Sequence, residues 1–196
     1  MGMDVYGRKP KQNKIVEEFP TYHKYNQLDF KDKWKKLDSD EKLRDQYWKE
    51  QEAYEDVNCG NYFRNNCWWW RPLWNYCYAV ADDIIPHEVW DEGHSNSGAG
   101  LGSRDAKKLG ERLLLTINSG ECVEYQAKYM QHLEELPDDD CFKCNNNNHG
   151  HNKKKDCKSC SKTGKQTNFN KSYPFDTENV RRFANFCIES GGFEIC

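Results

Sequence analysis

The spacing of apolar and polar residues first indicates a short strand at the start of the chain. Met3 and Val5 alternate with polar neighbours and are followed by Gly7, so the pattern predicts a strand over Met3–Tyr6. A second extended piece is predicted over Lys14–Phe19. These segments can supply only a small sheet.

From Asp29 onward the apolar residues recur every three or four positions, which is the period of an amphipathic helix. The predicted stripes are Phe30, Trp34 and Leu37; Leu43, Tyr47 and Tyr54; Leu73, Cys77, Val80 and Ile84; Ala106, Leu109, Leu113 and Ile117; Cys122, Tyr125, Tyr129, Leu133 and Leu136; and Val180, Phe183, Ala184 and Cys187. The chain is therefore predicted to be α+β and helix-dominated, with about five or six helices and a short N-terminal strand in a small sheet.

Residues at the ends of these stripes predict where helices begin. Asp38 and Glu41 have the spacing of a capping box. Pro72 is tolerated as the first residue of the central helix because no N–H is needed there. Ser103 is the predicted cap of the next helix, and the last helix should start at Asp176 or the following residue.

The string YFRNNCWWWRPLW, Tyr62–Trp74, is the most unusual part of the chain. Its three consecutive tryptophans, Trp68 to Trp70, cannot share one face of a helix or of a strand. At least one ring must therefore point away from any single core. We interpret the string as a strand or loop that leads into the helix at Pro72, with Trp69 facing opposite to its neighbours.

The composition indicates a folded chain with a polar surface and a small, ring-rich core. Of the 196 residues, 31% are charged and 14% are aromatic, and the mean hydropathy is −1.10. An aromatic content this high is not typical of disordered chains. The net charge of −3 neither favours nor excludes nucleic acid.

Targeting signals and cysteine usage favour a reducing compartment. No apolar run reaches about 18 residues, so we expect no membrane span and no membrane partner. The start of the chain, MGMDVYGRKP, lacks the apolar segment of a secretory signal. We therefore expect a cytoplasmic protein, in which cysteines at CxxC spacing are better interpreted as metal ligands than as disulfides.

Two CxxC pairs separated by twelve residues form the most specific motif in the chain. Their members are Cys141, Cys144, Cys157 and Cys160. Four thiolates on two tight turns can surround one tetrahedral Zn²⁺, and this closed shell leaves no position for substrate. We predict a structural Zn²⁺. Two disulfides are the alternative, and His149 or His151 is an alternative ligand.

Eight lysines and one acid lie between Cys141 and Ser172. A basic surface of this kind can contact phosphates. Four thiolates on one Zn²⁺ carry a net charge of about −2, however, which lysines offset. We interpret the lysines as a solvated tip, so that nucleic acid is a possible but less favoured partner.

These patterns predict three parts of the chain. The first is a main helical domain over 1–140 that contains a charged helical insertion at 29–57. The second is a zinc-knuckle module over 141–172, held by the metal rather than by an apolar core. The third, 173–196, carries the C-terminal helix and is expected to pack back on the main domain.

Four strings resemble an uncharacterised protein family that is common in bacteriophage and bacterial genomes. They are MGMDVYG, YFRNNCWWWRPLW, GHSNSGAGL and YPFDTENVRRFANFCIESGGFEIC, in this order. The paired CxxC segment is also similar to the zinc-binding CxxCxGxG repeats of DnaJ chaperones, although the first repeat lacks both glycines and the second retains only Gly164. The family resemblance implies a phage or bacterial cytoplasmic setting and no particular activity.

The favoured hypothesis is a binding protein for a small, nucleotide-like ligand. Aromatic rings can stack on a base, arginines bind phosphate, and amide or hydroxyl groups can contact base and ribose edges. The predicted ligand-binding residues are Arg64, Asn65, Asn66, Trp69, Arg71, His94 and Asn96. In a phage setting such a protein is expected to sequester a host signalling nucleotide, which is an anti-defence function.

Two other classes stay open. A hydrolase or transferase acting on a nucleotide or glycosyl bond would use His94 as acid or base, with Asp4 or Glu92 as its partner. The chain has no GxSxG, HExxH or Walker motif, so catalysis is the less favoured interpretation. An interaction protein would use the insertion helices and the basic module to bind a host protein or nucleic acid. The pattern favours no oligomeric state.

Overall fold

The structure is a computed structural model that describes residues 2–11, 18–145 and 157–196, most of them helical. The helices are α1 (Pro20–Asn26), α2 (Phe30–Asp38), α3 (Glu41–Val57), α4 (Cys67–Val80), α5 (His87–Glu92), α6 (Ser103–Asn118), α7 (Glu121–Glu135), α8 (Phe142–Asn145) and α9 (Thr177–Glu189). The strands are β1 (Gly2–Gly7), β2 (Tyr62–Asn66), β3 (Asp139–Asp140), β4 (Lys165–Gln166) and β5 (Phe193–Ile195). A 3-10 turn, Phe169–Ser172, lies between β4 and α9.

The predicted helix-dominated α+β class is confirmed. Within the described ranges, six helices have nine or more residues and correspond to the six predicted stripes. The short helices α1, α5 and α8 were not predicted, because fewer than two turns give no stripe. The predicted N-terminal strand is confirmed as β1. The extended piece predicted over Lys14–Phe19 lies largely outside the described residues.

Three antiparallel strands in the order β2-β1-β5 form the main sheet. Val5 pairs with Phe63 on one side and with Ile195 on the other, and all three side chains are buried. Strand alternation places Asp4 and Arg64, which are also paired in register, on the opposite face. One face of the sheet therefore contributes to the core and the other carries polar side chains.

The glycine-rich loop around residues 98–102 runs along the outer edge of β5. Phe193 N donates to Leu101 O at 2.9 Å, and Ile195 N donates to Ala99 O at 2.7 Å. A Cβ at Gly100 would lie 1.9 Å from the Phe193 carbonyl oxygen, so the backbones meet only because this residue is glycine. The loop's glycines therefore serve strand-like packing within the fold.

The main core lies between the sheet and helices α4, α6 and α9. Gly110 of α6 allows a close approach to α9, since a Cβ there would lie 2.5 Å from the Ala184 carbonyl oxygen. Phe183 of α9 is fully buried and makes edge-on contacts with Trp70 and Trp74 of α4. This ring-rich core matches the composition.

Helix α4 begins earlier than predicted. Asn66 accepts hydrogen bonds from the N–H groups of Trp68 (3.0 Å) and Trp69 (3.1 Å) and so caps a helix that starts at Cys67. The predicted start at Pro72 is wrong: this proline lies inside the first two turns and has no N–H to give to a carbonyl one turn earlier. The strand-like alternation predicted for Trp69 is wrong for the same reason.

Two smaller units accompany the main core. Helices α1, α2 and α3 enclose a separate cluster of Tyr25, Leu37 and Tyr47, and α3 is capped by Asp40 rather than by the predicted Asp38. Strands β3 and β4 form a two-stranded hairpin beside four cysteines. The division into parts at 140 and 172 stays a prediction. Among the described helices, none combines the length and apolar character needed to cross a bilayer.

Candidate metal centre and ligand groove

Four cysteine side chains converge beside the hairpin of β3 and β4. Cys141 follows β3, Cys144 lies in α8, and Cys157 and Cys160 belong to the turn that leads into β4. Their Sγ atoms all lie within 4.8 Å of one another. The Sγ atoms of Cys141 and Cys157 are 3.8 Å apart, and those of Cys144 and Cys160 are 3.7 Å apart.

These distances fit a tetrahedral thiolate site. Zn–S bonds of about 2.3 Å separate neighbouring sulfurs by about 3.8 Å in a regular tetrahedron. A disulfide would bring two sulfurs to about 2.05 Å, and all four cysteines are free thiols, so the disulfide alternative does not fit. The cluster can hold one metal ion, and its donor set suits Zn²⁺. His149 and His151 lie outside the described residues.

The turn after the second pair is built around one sulfur. Gly164 N donates to Cys160 Sγ at 3.2 Å, and the Gly164 carbonyl accepts from Cys141 N at 2.9 Å. Ser161 and Lys162 have φ angles of 47° and 69°, in the left-handed region that costs a non-glycine residue about 1 kcal/mol. Such a turn persists when its surroundings fix it, and coordination of both thiolate pairs would do so.

Crowding of the four thiols favours unequal ionisation. The pKa of Cys160 is lowered to about 6: burial opposes ionisation, but the Gly164 N–H and the neighbouring thiols, which hydrogen bond to its sulfur, outweigh it. The pKa of Cys144 is raised to about 12 by burial and by the same neighbours. A cation among the four sulfurs would favour the thiolate state of all of them.

A groove of about 510 Å³ lies between α4, α7 and the 3-10 turn. Its volume is within the range of small-molecule sites, about 300–1,000 Å³. The residues that line it are Arg71, Pro72, Asn75, Tyr129, His132, Leu133, Leu136, Phe169, Asn170 and Tyr173. None of these lining residues is an acid, whereas one is an arginine and three carry aromatic rings. The groove is thus suited to a ligand that is flat and anionic.

Arg71 and the wall of the groove are held by specific contacts. Arg71 Nη1 donates to the Tyr173 hydroxyl at 2.7 Å, and its guanidinium lies 5.7 Å from the centre of the Tyr173 ring. The Tyr129 hydroxyl donates to the Tyr173 carbonyl at 3.0 Å. Trp68 packs behind the wall, with its ring 5.2 Å from that of Phe169. Phe169 is 60% exposed, so its ring is available for stacking.

The predicted ligand-binding residues are not gathered in one site. Arg71 lines the groove, and its charge reaches His94 beside α5. Arg64 forms an ion pair with Asp4 on the outer face of the sheet, with an N–O distance of 3.5 Å. Asn96 donates to the Gly2 carbonyl at 3.2 Å.

The remaining three predicted residues serve the fold or a smaller cavity. Asn66 is the cap of α4. Asn65 donates to Asn179 Oδ1 at 3.0 Å, and with Trp69 it lines a cavity of about 250 Å³. Two acids, Asp176 and Glu178, also line that cavity. Its size and charge make it a poorer site for an anion than the groove.

A third and larger cavity, of about 740 Å³, lies between α3, β2 and α9. Arg64 reaches it, but four acids line it as well: Glu52, Glu55, Asp56 and Glu178. With only one further arginine, Arg182, the lining has an excess of negative charge. Coulomb repulsion therefore disfavours a phosphate-bearing ligand in this cavity.

His94 packs against the ring of Trp90 beside α5. Its ring lies edge-on to Trp90, with ring centres 5.1 Å apart. In the described part of the chain, no hydrogen bond or ion pair joins this ring to the carboxylate of Asp4 or Glu92. Burial lowers the pKa of His94, and the positive charge of Arg71 lowers it further, although Asp91 opposes this. The catalytic role of His94 stays a prediction.

The pKa of His94 gives a direct test of this placement. We expect NMR titration to find it below about 6.5 in the folded protein. Arg71→Gln should raise it part of the way back, because burial, the larger cause, remains. The matched variant Arg64→Gln removes an arginine that faces Asp4 and should leave the His94 pKa unchanged. An unchanged pKa in Arg71→Gln would contradict the proximity of the two side chains.

The same shift fixes the sign of a pH effect on stability. Because folding lowers the pKa of His94, the unfolded state binds more protons once the pH falls below about 6.5. The free energy of unfolding should therefore decrease with acidification through this residue. Urea denaturation of His94→Asn should show a smaller loss of stability between pH 7 and pH 5.5, roughly, than the wild-type protein shows.

Apart from Arg71, the residues that line the groove could not be identified as a site from local sequence patterns. Tyr129 and Leu133 were predicted as core positions of α7, and Phe169, Asn170 and Tyr173 lie in an irregular segment without a motif. Only tertiary packing brings this segment against α4. The aromatic density of the sequence was the one available signal.

Comparisons of the chain with protein-family models, with curated proteins and with solved structures gave no match. Of the resemblances described above, the structure supports only the paired CxxC segment, whose four cysteines lie close together.

Proposed function

We propose that this is a zinc-stabilised binding protein whose groove between α4, α7 and the 3-10 turn binds a small, nucleotide-like ligand. The observation that carries the proposal is that an arginine, Arg71, and an exposed phenylalanine, Phe169, line the same groove, which has no lining acids. A base would stack on the ring, and a phosphate would bind the guanidinium.

The remaining polar groups of the groove can orient such a ligand. Asn75 and Asn170 offer amide donors and acceptors for base or ribose edges, and His132 lies at the end of α7. Asn75 is itself held by a hydrogen bond from Trp90 Nε1 at 3.3 Å, which fixes the direction of its side-chain oxygen. An oriented amide supports selective binding more than a free one does.

The biological setting belongs to the same proposal. The resemblance to a phage and bacterial family supports a role in the cytoplasm of a bacterial host, where the protein would sequester a signalling nucleotide as an anti-defence factor. The Zn²⁺ would be structural, because four protein thiolates close its coordination shell. Catalysis is not part of the proposal.

The test is calorimetric titration with adenosine monophosphate (AMP) and with adenosine. AMP should bind more tightly than adenosine, because only AMP carries the phosphate that Arg71 would bind. Arg71→Gln should weaken AMP binding by about ten- to a hundredfold, the effect of losing a charged hydrogen bond, and leave adenosine unaffected. Phe169→Ala should weaken both ligands, since stacking contributes about 1–3 kcal/mol.

Two matched controls separate the groove from the rest of the surface. Arg64→Gln removes an arginine that lines the acidic cavity, and Phe142→Ala removes a ring that is 67% exposed outside the groove. Neither should change AMP affinity. Equal losses of AMP affinity in Arg71→Gln and Arg64→Gln would mean that the effect is one of overall charge. If the wild-type protein does not bind AMP at all, nucleoside monophosphates of this kind are ruled out as ligands.

A further inference from the structure

The carboxylate of Asp139 connects one wall of the groove to the metal centre. Asp139 of β3 accepts a hydrogen bond from Phe169 N at 2.8 Å with one oxygen and from Asn168 Nδ2 at 3.1 Å with the other. Asn168 also donates to the Pro137 carbonyl at 2.9 Å and caps the 3-10 turn by accepting from Asn170 N at 2.9 Å. Asp139 thus sets the position of the backbone that carries Phe169 and Asn170.

The strand that carries Asp139 is in turn held at the metal centre. Asp139 pairs with Gln166, and Asp140 pairs with Lys165, which are the two residues after Gly164. Cys141 N donates to the Gly164 carbonyl at 2.9 Å and continues the same ladder. The ladder therefore begins at the cysteine cluster and ends at the groove wall.

This ladder is short and has little stability of its own. Each strand has only two residues, and an isolated two-stranded hairpin is at best marginally stable in water. Among the described residues, the buried cluster at the hairpin consists of Cys141, Cys144 and Cys160, with the partly buried Cys157 packed against them. Without a metal, four thiols are too small an apolar core to order the segment.

We infer that metal occupancy of the four-cysteine centre sets the shape of the ligand groove, with Asp139 as the positioning residue that connects the two. The metal fixes both thiolate pairs, the pairs fix β3 against β4, and Asp139 then holds Phe169 and Asn170 at the groove. The inference rests on the proposed function only in identifying the groove as the ligand site. Ligand affinity should accordingly depend on zinc, although none of the residues that line the groove is one of the four cysteines.

Hydrogen exchange tests the coupling without any ligand. The zinc-loaded protein and protein treated with a chelator under reducing conditions are compared by mass spectrometry. Metal removal should abolish protection over residues 164–171, including the Phe169 N–H, while peptides from α6 and α9 keep theirs and so show that the main core stays folded. Retained protection over residues 164–171 after metal removal would overturn the inference.

Two matched substitutions then test Asp139 in the zinc-loaded protein. Asp139→Asn removes one of two acceptor oxygens that receive hydrogen bonds, whereas Asp140→Asn makes the same change in charge at an exposed ion pair with Lys165. Both variants should retain one zinc per chain by elemental analysis. Only Asp139→Asn should lose protection at Phe169 and weaken AMP binding, by at least about fivefold.

The zinc dependence of AMP affinity distinguishes a positioning role of Asp139 from a purely structural one. Chelation should lower the AMP affinity of the wild type and of Asp140→Asn by at least about fivefold. It should have a much smaller further effect in Asp139→Asn, because the connection is already broken. Equal zinc dependence in all three proteins would overturn the role of Asp139. If AMP does not bind the wild type at all, the proposed function fails, and the exchange experiment still decides the coupling.

Discussion

Replacing Cys141 with Ser is expected to abolish stoichiometric zinc binding and to unfold the hairpin of β3 and β4. A serine hydroxyl is a much poorer zinc ligand than a thiolate, and binding of a structural Zn²⁺ contributes about 10–16 kcal/mol in zinc-finger peptides. The zinc content measured by elemental analysis after dialysis should fall from one ion per chain to none. Hydrogen exchange should show lost protection of the Gly164 N–H, which now donates to Cys160.

The matched control for this experiment is Cys196→Ser. This cysteine is exposed and lies outside the cluster, so its replacement should leave zinc content and exchange unchanged. The idea that a metal holds the hairpin would be contradicted by one result. In that result, the Cys141→Ser variant is metal-free and fully reduced, yet its Gly164 N–H is still protected from hydrogen exchange. The prediction has a large effect because the cysteines are the only buried cluster of the hairpin within the described residues.

The four-cysteine cluster could be predicted from sequence because the geometry of each CxxC pair is local. Each CxxC pair needs only one turn of chain to bring two sulfurs together, and spacing alone implies that geometry. The pairing of Cys141 with Cys157 at 3.8 Å then follows from the single ion that both pairs would share. The Gly164 contact with Cys160 was not predicted, since it depends on the left-handed turn between them.

The long helices could be predicted because their apolar stripes repeat over several turns, whereas their first residues were harder to predict. A stripe repeated over four turns, as in α6, survives errors in any single position. The start of α4 depended instead on one side chain, Asn66, whose oxygen accepts from two backbone N–H groups. Pro72 was the more familiar start signal, but the buried packing of the preceding tryptophan turn outweighs the hydrogen bond that the proline omits.

The groove was the least predictable feature, because residues close in sequence diverge in space. Arg64 and Asn65 are adjacent, yet strand alternation sends them to opposite faces of the sheet. Arg71, on the helix that follows, meets Tyr173, which is distant in sequence. Composition could indicate that rings and arginines matter, but only the packing of the irregular segment 168–173 on α4 determines which of them share a groove.

The tryptophan run itself provides the second large expected effect. Trp70→Ala should lower the free energy of unfolding by about 3–5 kcal/mol, the usual result of truncating a buried aromatic side chain. Trp70 is fully buried, stacks on Trp74 with ring centres 5.4 Å apart, and donates its Nε1–H to the Gly93 carbonyl at 2.7 Å. The substitution therefore leaves both a cavity and a buried carbonyl without its donor.

The neighbouring residue supplies the control, because both changes remove the same side chain one position apart. Trp69 is half-exposed at the edge of the small cavity beside Asn65, so Trp69→Ala should cost less than about 1.5 kcal/mol. Urea denaturation of the two variants gives the comparison directly. Since native proteins are stable by about 5–15 kcal/mol, Trp70→Ala should remove a large fraction of the total. Three consecutive positions on a helix point in different directions, so the three rings cannot all be buried in the same core. Equal losses of stability in both variants would contradict the assignment of Trp70 to the core and of Trp69 to the partly exposed surface.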